Sequence, residues 1–366
     1  MKRVERRVLE VLGPSAGGIA RHVALVTAGL DGRDGLQVDV AAPEDLPVAM
    51  PKPVTPLLIP NGPVAGHRAA RRRIRKIVEE GGYDVVHAHG LRAGIDCGLA
   101  LRGTSRPVFL TVHNLVLPDI SGRTKAFFLR RAEPLAVRLT ARTFAASVQI
   151  ADHLREVAPQ LRDKIETLHA PVGDPPPVTR TSAEVRDELG LEAGQKLVVT
   201  AARLAPQKAL HVMLAAIAEL PDDVVLVVVG EGPLEAVLRA RAEELGIARR
   251  VTWTGFRPDV GDFLAAADLV ALSSVWEAVA LVAQEAVLLG VPVVSTDVGG
   301  MGELITDLRS GRLVPKGDHQ ALAAAMSEVL HSEELWRKYA DNALHDLRER
   351  FSREKMLHRL SEVYRG

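Results

Sequence analysis

A single cysteine, Cys97, is all the thiol chemistry that 366 residues offer. That excludes an internal disulfide and a thiolate metal cluster, so an intracellular, reducing setting is expected. Long apolar runs are missing too. No window reaches the roughly 20 apolar residues of a membrane-spanning helix, so any membrane contact is expected to be peripheral. The start, "MKRVERRVLEVLG", follows its basic residues with an apolar stretch of about five, against the roughly 7 to 15 of a secretory signal. Net charge is absent as well, since 46 Lys and Arg balance 46 Asp and Glu. With no binding motif beside it, that balance argues against nucleic acid as a partner.

The balance hides an asymmetry. Residues 1–170 hold 25 Lys and Arg against 17 Asp and Glu, whereas residues 171–366 hold 21 against 29. An acidic partner for the first half is one reading of that split.

What is present is alternation. Short β-rich apolar runs separated by helical patterns predict parallel sheets covered by helices on both faces. The strand candidates are "RVLEVL", "LQVDVAA", "DVVHAHG", "PVFLTVH" and "TFAAS", then "KLVVTAA", "VVLVVVG", "VTWTG", "DLVALSS" and "VPVVST". Between the two groups, "HAPVGDPPPVTRTSAE" has three consecutive prolines that forbid a helix or a central strand, which marks a domain boundary. The tail reads as helices whose Trp336, Tyr339, Phe351, Leu357, Leu360 and Tyr364 form an apolar stripe. Two doubly wound domains follow, with ligands expected outside the carboxyl ends of the strands.

Several motifs fall at those ends. "GPSAGGIARHV" places Gly17 and Gly18 before a helix, where backbone N–H groups and the helix terminus suit phosphate oxygens; an ordinary turn is the alternative. "VVGEGPLEAVL" offers Gly230 and Gly232 after a strand, but Glu235 stands where a dinucleotide fingerprint needs its third glycine. Arg203 and Lys208 in "AARLAPQKAL" could clamp a diphosphate or be solvated loop cations. His89 and His113 end successive strands, where an imidazole can bond a sugar hydroxyl or phosphate, carry a proton, or merely fill the rim.

"EAVALVAQE" sets Glu277 and Glu285 eight residues apart in an apolar run. Were all nine residues helical, the acids would stand about 12 Å apart along the axis and about 80° around it. That exceeds the roughly 5 to 9.5 Å between the two carboxyls of a glycoside hydrolase, so separate jobs are expected. Glu285, flanked by apolar residues, is expected to be sequestered and to need hydroxyl donors such as those of a ribose. Glu277 is expected in a loop at the sheet edge.

Together these residues resemble the retaining GT-B glycosyltransferases of family 4. The likeness runs from "GPSAGGIARHVALVTAGL" through "DVVHAHG", "LTVHN", "ARLAPQKALHVMLAA" and "VVGEGPLEAVLRARAEELGIARRVTWTGF" to "SSVWEAVALVAQEAVLLGVPVVSTDVGGMGELI". It implies two Rossmann-like domains facing a central cleft. Residues 1–171 would form the acceptor side, 177–345 the nucleotide-sugar donor side, and 346–366 a helix returning to the first domain, with "HAPVGDPPPV" as hinge. It implies that Glu285 holds the donor's ribose and that Glu277 faces the transferred sugar. Arg203 and Lys208 would grip the diphosphate, with Gly17, Gly18 and Gly232 in loops beside it, and His113 would lie near the sugar and reaction centre. The activity implied is transfer of a hexose-type sugar from a UDP- or GDP-sugar to a hydroxyl acceptor with retention, without cofactor or metal. The sequence has no D-x-D, the acid pair that commonly holds a metal in the other main glycosyltransferase fold. One departure stands out: where relatives commonly read E-G-F-G-L, this chain has Glu277, Ala278, Val279, Ala280 and Leu281. Two rivals remain, a catalytically silent sugar-nucleotide-binding subunit and a GT-B epimerase.

Basic runs at Arg68–Lys76 and Arg123–Arg131 suit an anionic membrane surface or a phosphorylated acceptor, with a solvated face as the alternative. A cytoplasmic protein, peripheral on the inner face of the membrane through these runs, is the expected setting.

Overall fold

A computed structural model describes the chain except residues 1–5, 15–17, 47, 63–64, 116–122 and 172, and the side chains of 123–130. The chain divides into two compact units, Met1–Pro171 with Ser352–Gly366, and Val172–Phe351.

Among the described residues the first unit has seven strands: β1 (Arg6–Leu12), β2 (Leu36–Ala42), β3 (Val54–Pro56), β4 (Val85–His89), β5 (Val108–Val112), β6 (Arg142–Ala145) and β7 (Ile165–Thr167). They pair in parallel in the order β3-β2-β1-β4-β5-β6-β7. The four central ones are almost wholly buried because helices cover both faces, and this favours the β-branched and aliphatic runs seen in the sequence. One face carries Val8, Val85 and Phe109 in a shared apolar cluster with Val26, Leu30, Leu357, Leu360 and Tyr364. These come from the helices Gly18–Leu30 and Arg353–Arg365. The two helices meet closely at Gly29, where an added Cβ would lie 2.4 Å from Leu357 Cδ1.

The second unit has six strands: β8 (Lys196–Ala201), β9 (Val224–Val229), β10 (Val251–Gly255), β11 (Leu269–Leu272), β12 (Val293–Thr296) and β13 (Arg312–Val314). All pairs are parallel, in the order β10-β9-β8-β11-β12-β13. Every residue of β9, "VVLVVV", is buried. The two sides of the sheet pack in separate apolar clusters. The helix Ser182–Glu188 starts on a capping box in which Thr181 and Glu184 satisfy each other's backbone donors.

Three strands have no counterpart in the sequence reading, β3, β7 and β13. Each is three residues long and lies at a sheet edge, where proline or charge is tolerated and the apolar run is too short to register.

Candidate functional site

In both sheets the strand order reverses once, between β1 and β4 and between β8 and β11. Open α/β sheets bind ligands at the carboxyl side of such a point.

In the second unit the loop after β8 carries Arg203 and Lys208, and the loop after β11 carries Ser274 and Glu277. Lys208 Nζ lies 2.5 Å from Glu277 Oε1, and Ser274 Oγ donates to the same oxygen at 2.6 Å. Gln207 ties the loops together: its side-chain Nε2 donates to Trp276 O, and its backbone carbonyl accepts from Val275 N–H, both at 2.9 Å. Glu277 is thereby 7% exposed, a carboxylate held by an ammonium and a hydroxyl, as buried charge requires. The loop after β12 supports it. Gly299 adopts φ 59°, and a Cβ there would lie 1.5 Å from Glu277 O, the carbonyl that accepts a hydrogen bond from Gly300 N–H at 3.0 Å. Thr296 Oγ1 donates to Ser274 O at 2.6 Å. Gly232 lets the loop after β9 close on the loop after β8, since its Cβ would meet Leu204 O at 2.5 Å. Arg203 is exposed and makes no ion pair among the described residues.

The two acids differ from expectation in one respect. The helix Leu281–Leu288 begins after Ala280, so Glu277 lies in the loop, as its position after a strand indicated. Its core face, however, is Ala283, Gln284, Ala286 and Val287, which leaves Glu285 half-buried and makes Glu277 the sequestered acid. Gln284 is the buried polar group of that helix, and neither of its amide atoms has a hydrogen-bond partner. Ala278 and Ala280 are accommodated without strain. Ala280 has φ −65°, and among described residues other than glycine only Asp34, Ala209 and Leu308 have positive φ.

In the first unit a polar network crosses the β1/β4 edge. Glu10, in the middle of β1, is fully buried. Its Oε1 accepts from Tyr364 O–H at 2.8 Å and its Oε2 from His89 Nε2–H at 2.7 Å. His89 Nδ1 lies 3.1 Å from His113 Nε2. His87 bridges Tyr364 through Nδ1 and Thr111 through Nε2, the latter at 2.8 Å. With Glu10 as an acceptor, the bonds assign Nε2–H to His89, leaving its Nδ1 to accept from His113 Nε2–H. Burial, then the neighbouring imidazole of His89, lowers His22 to about 3; burial, then His89 and His22, holds His87 well below the ordinary histidine value, and burial, then His22, His89 and His87, does the same to His113. Burial and Glu10 push the Tyr364 phenol well above its usual range. Glu10, His22, His87, Tyr364, Ser274 and Gly299 were not singled out as site residues from sequence. Glu10 and His87 left a signal there, as polar residues inside buried parallel strands. Gly18 opens the helix after β1, and Gly17 lies outside the described residues.

The basic run Arg68–Lys76 lies in the helix His67–Gly81, whose Ala70, Ile74, Ile77 and Val78 are buried in the core. Arg71 pairs with Asp96, Arg75 with Glu79 and Lys76 with Glu80, so the exposed remainder is Arg68, Arg72 and Arg73. Of the run Arg123–Arg131, only Arg131 has a described side chain, and it is exposed. Among the described residues no helix is long and apolar enough to cross a membrane.

Comparison with known proteins decides the family. Residues 16–173 match the family "Glycosyltransferase Family 4", and residues 181–346 match "Glycosyl transferases group 1". The 2-deoxystreptamine N-acetyl-D-glucosaminyltransferase of Streptomyces fradiae is 31% identical over 77% of this chain and 70% of its own. The chain belongs to the GT-B glycosyltransferases of family 4. The D-inositol 3-phosphate glycosyltransferase of Mycolicibacterium smegmatis is 31% identical to it over 87% of this chain and 80% of its own. This glycosyltransferase also shares its fold with HepE of Anabaena, solved with UDP. The TM-score is 0.82 at 23% identity, over 98% of this chain and 99% of that one.

Proposed function

We propose that this glycosyltransferase moves a hexose-type sugar from a UDP- or GDP-linked donor to a hydroxyl acceptor with retention at the anomeric carbon, and that the step uses no metal. The observation that carries the reading is the Lys208–Glu277 pair on the β8/β11 edge, with Arg203 exposed on the same loop. Arg203 and Lys208 meet the charge that grows on the departing diphosphate, fixed cations doing what a metal does elsewhere. Glu277, oriented by Lys208 and Ser274 before a ligand arrives, faces the transferred sugar. Glu285 takes the ribose hydroxyls, His113 serves near the sugar, and Gly17, Gly18 and Gly232 let backbone approach the diphosphate. In the step, the bond from the anomeric carbon to the phosphate oxygen breaks. The freed phosphate oxygen takes the acceptor's hydroxyl proton, and the acceptor oxygen bonds the same face of the sugar. The names of the Streptomyces and Mycolicibacterium relatives and the UDP bound to HepE support a sugar-nucleotide donor.

A thermal-shift panel of UDP-, GDP- and dTDP-sugars identifies the donor, since a ligand bound only by the folded state raises Tm. The product's anomeric configuration by NMR, in chelator, then tests retention and metal independence. The double variant Arg203→Ala/Lys208→Met is expected to lose at least about 100-fold in turnover while staying folded; unchanged turnover refutes the role given to these cations. The sequence Glu277-Ala278-Val279-Ala280 favours one second reading, a silent sugar-nucleotide-binding subunit. Calorimetric donor binding without transfer to any acceptor, or hydrolysis, would establish it. The exposed Arg68, Arg72 and Arg73 suit an anionic lipid surface or a phosphorylated acceptor. Co-sedimentation with anionic but not neutral vesicles tests the former.

A further inference from the structure

The geometry points to a metal site in the first unit, formed by His22, His89 and His113 and suited to one divalent ion of the zinc type. One ring nitrogen from each histidine lies within 4.8 Å of the other two. The ring centroids are separated by 4.9 Å (His22 to His113), 5.4 Å (His89 to His113) and 5.6 Å (His22 to His89). Three imidazoles on one tetrahedral ion, at about 2.0–2.1 Å per Zn–N bond, put their nitrogens about 3.4 Å apart and their centroids about 5 Å apart. The rings therefore stand close to ligating separation already, and His89 Nδ1 and His113 Nε2 are 3.1 Å apart.

Two further observations favour an ion over simple packing. His22 Nδ1 is buried without a hydrogen-bond partner, an orphan that calls for an explanation where most buried polar atoms are satisfied. His89 gives its far nitrogen to Glu10, at 2.7 Å, and Glu10 is itself held by Tyr364. A carboxylate fixing the outer N–H of an imidazole so that the inner nitrogen points its lone pair at an ion is the usual support of a histidine–metal bond. An all-imidazole set selects zinc, cobalt or nickel over magnesium or calcium. Three imidazoles on a tetrahedral ion leave its fourth position to water or a ligand oxygen. Because the proposed reaction uses His113, an ion here withdraws that side chain and inhibits transfer; this consequence rests on the role proposed for His113, and the site itself does not.

The test is titration of the chelator-stripped full chain with Co2+ and, separately, Zn2+. The expected result is one equivalent of Co2+ giving intense tetrahedral d–d bands and one equivalent of Zn2+ raising Tm. His22→Gln and His89→Gln should each weaken binding at least about 10-fold, and Glu10→Gln about 10- to 100-fold. Absence of stoichiometric binding, or binding unchanged in both histidine variants, overturns the site. Should a variant fail to fold, zinc-edge absorption on the unaltered protein decides: three imidazoles support the assignment and fewer than three overturn it. Metal binding together with normal transfer by His113→Gln would keep the site and remove His113 from the reaction.

Discussion

The two sheets share one winding and differ in what they hold at the same place. At the β1/β4 edge the side chains are imidazoles, a phenol and one buried carboxylate passing hydrogen bonds among themselves. At the β8/β11 edge they are an ammonium on a carboxylate, braced by glycine backbone from the next loop. Winding order fixes where chemistry can sit, and the residues just past the strands decide which chemistry it is. The first edge is therefore sensitive to protons, and the second to backbone shape.

The sharpest way to break the second edge is Gly299→Ala. The new methyl would lie 1.5 Å from Glu277 O, at a residue with φ 59°, so the loop bearing Glu277 must move. We expect loss of donor-induced stabilisation in a thermal-shift assay and at least about 100-fold lower transfer, because misplacing a positioned group by about 1 Å costs that much.

Acid should break the first edge and spare the second. His22 takes a proton near pH 3 when folded and near 6.5 when unfolded. Unfolding is therefore coupled to proton uptake below pH 6.5: the unit keeps its full stability above that value and loses it as pH falls toward 3, by about 1.4 kcal/mol per pH unit for this group. His87 and His113 are lowered too and act in the same direction. In the second unit the lowered group with the clearest value is Asp259, at about 2 chiefly through its hydrogen bond from Arg257, and such a group contributes its full stability above its ordinary value of 3.8 and loses it as pH falls through about 2. All three tryptophans, Trp253, Trp276 and Trp336, belong to the second unit. Circular dichroism is thus expected to change at higher pH than tryptophan fluorescence, and coincident transitions would contradict the contrast.

The smallest effect is reserved for Tyr364→Phe. It removes one of two donors to Glu10 and leaves His87 Nδ1 without its partner, a loss of about 1–3 kcal/mol. Denaturant unfolding should show it, with nucleotide affinity unchanged.

Ten of the thirteen strands among the described residues were legible because buried parallel strands read as continuous aliphatic runs; β3, β7 and β13 were not, being short and marginal. Glu277 could be placed in a loop because it follows the strand run "DLVALSS" closely. Its partners could not be named: Lys208 is 69 residues away, and Gly299 matters only because its backbone approaches a carbonyl. Glu285 was assigned the deeper position from its apolar flanks, but a helix of eight residues has too few turns for flanking composition to reveal its rotation. Tyr364 read as part of an apolar stripe, and its ring does pack so; its hydroxyl reaches a residue 354 positions earlier, a distance over which no local pattern speaks.

That last contact bears on how the protein is made. Ser352–Gly366 completes the first unit, so on the ribosome this unit must wait, its β1 carboxylate and the apolar side of its first helix uncovered, until the whole of the second unit has been made. The second unit has every residue it needs earlier and can mature first, which inverts the usual order of assembly in which the amino-terminal part leads.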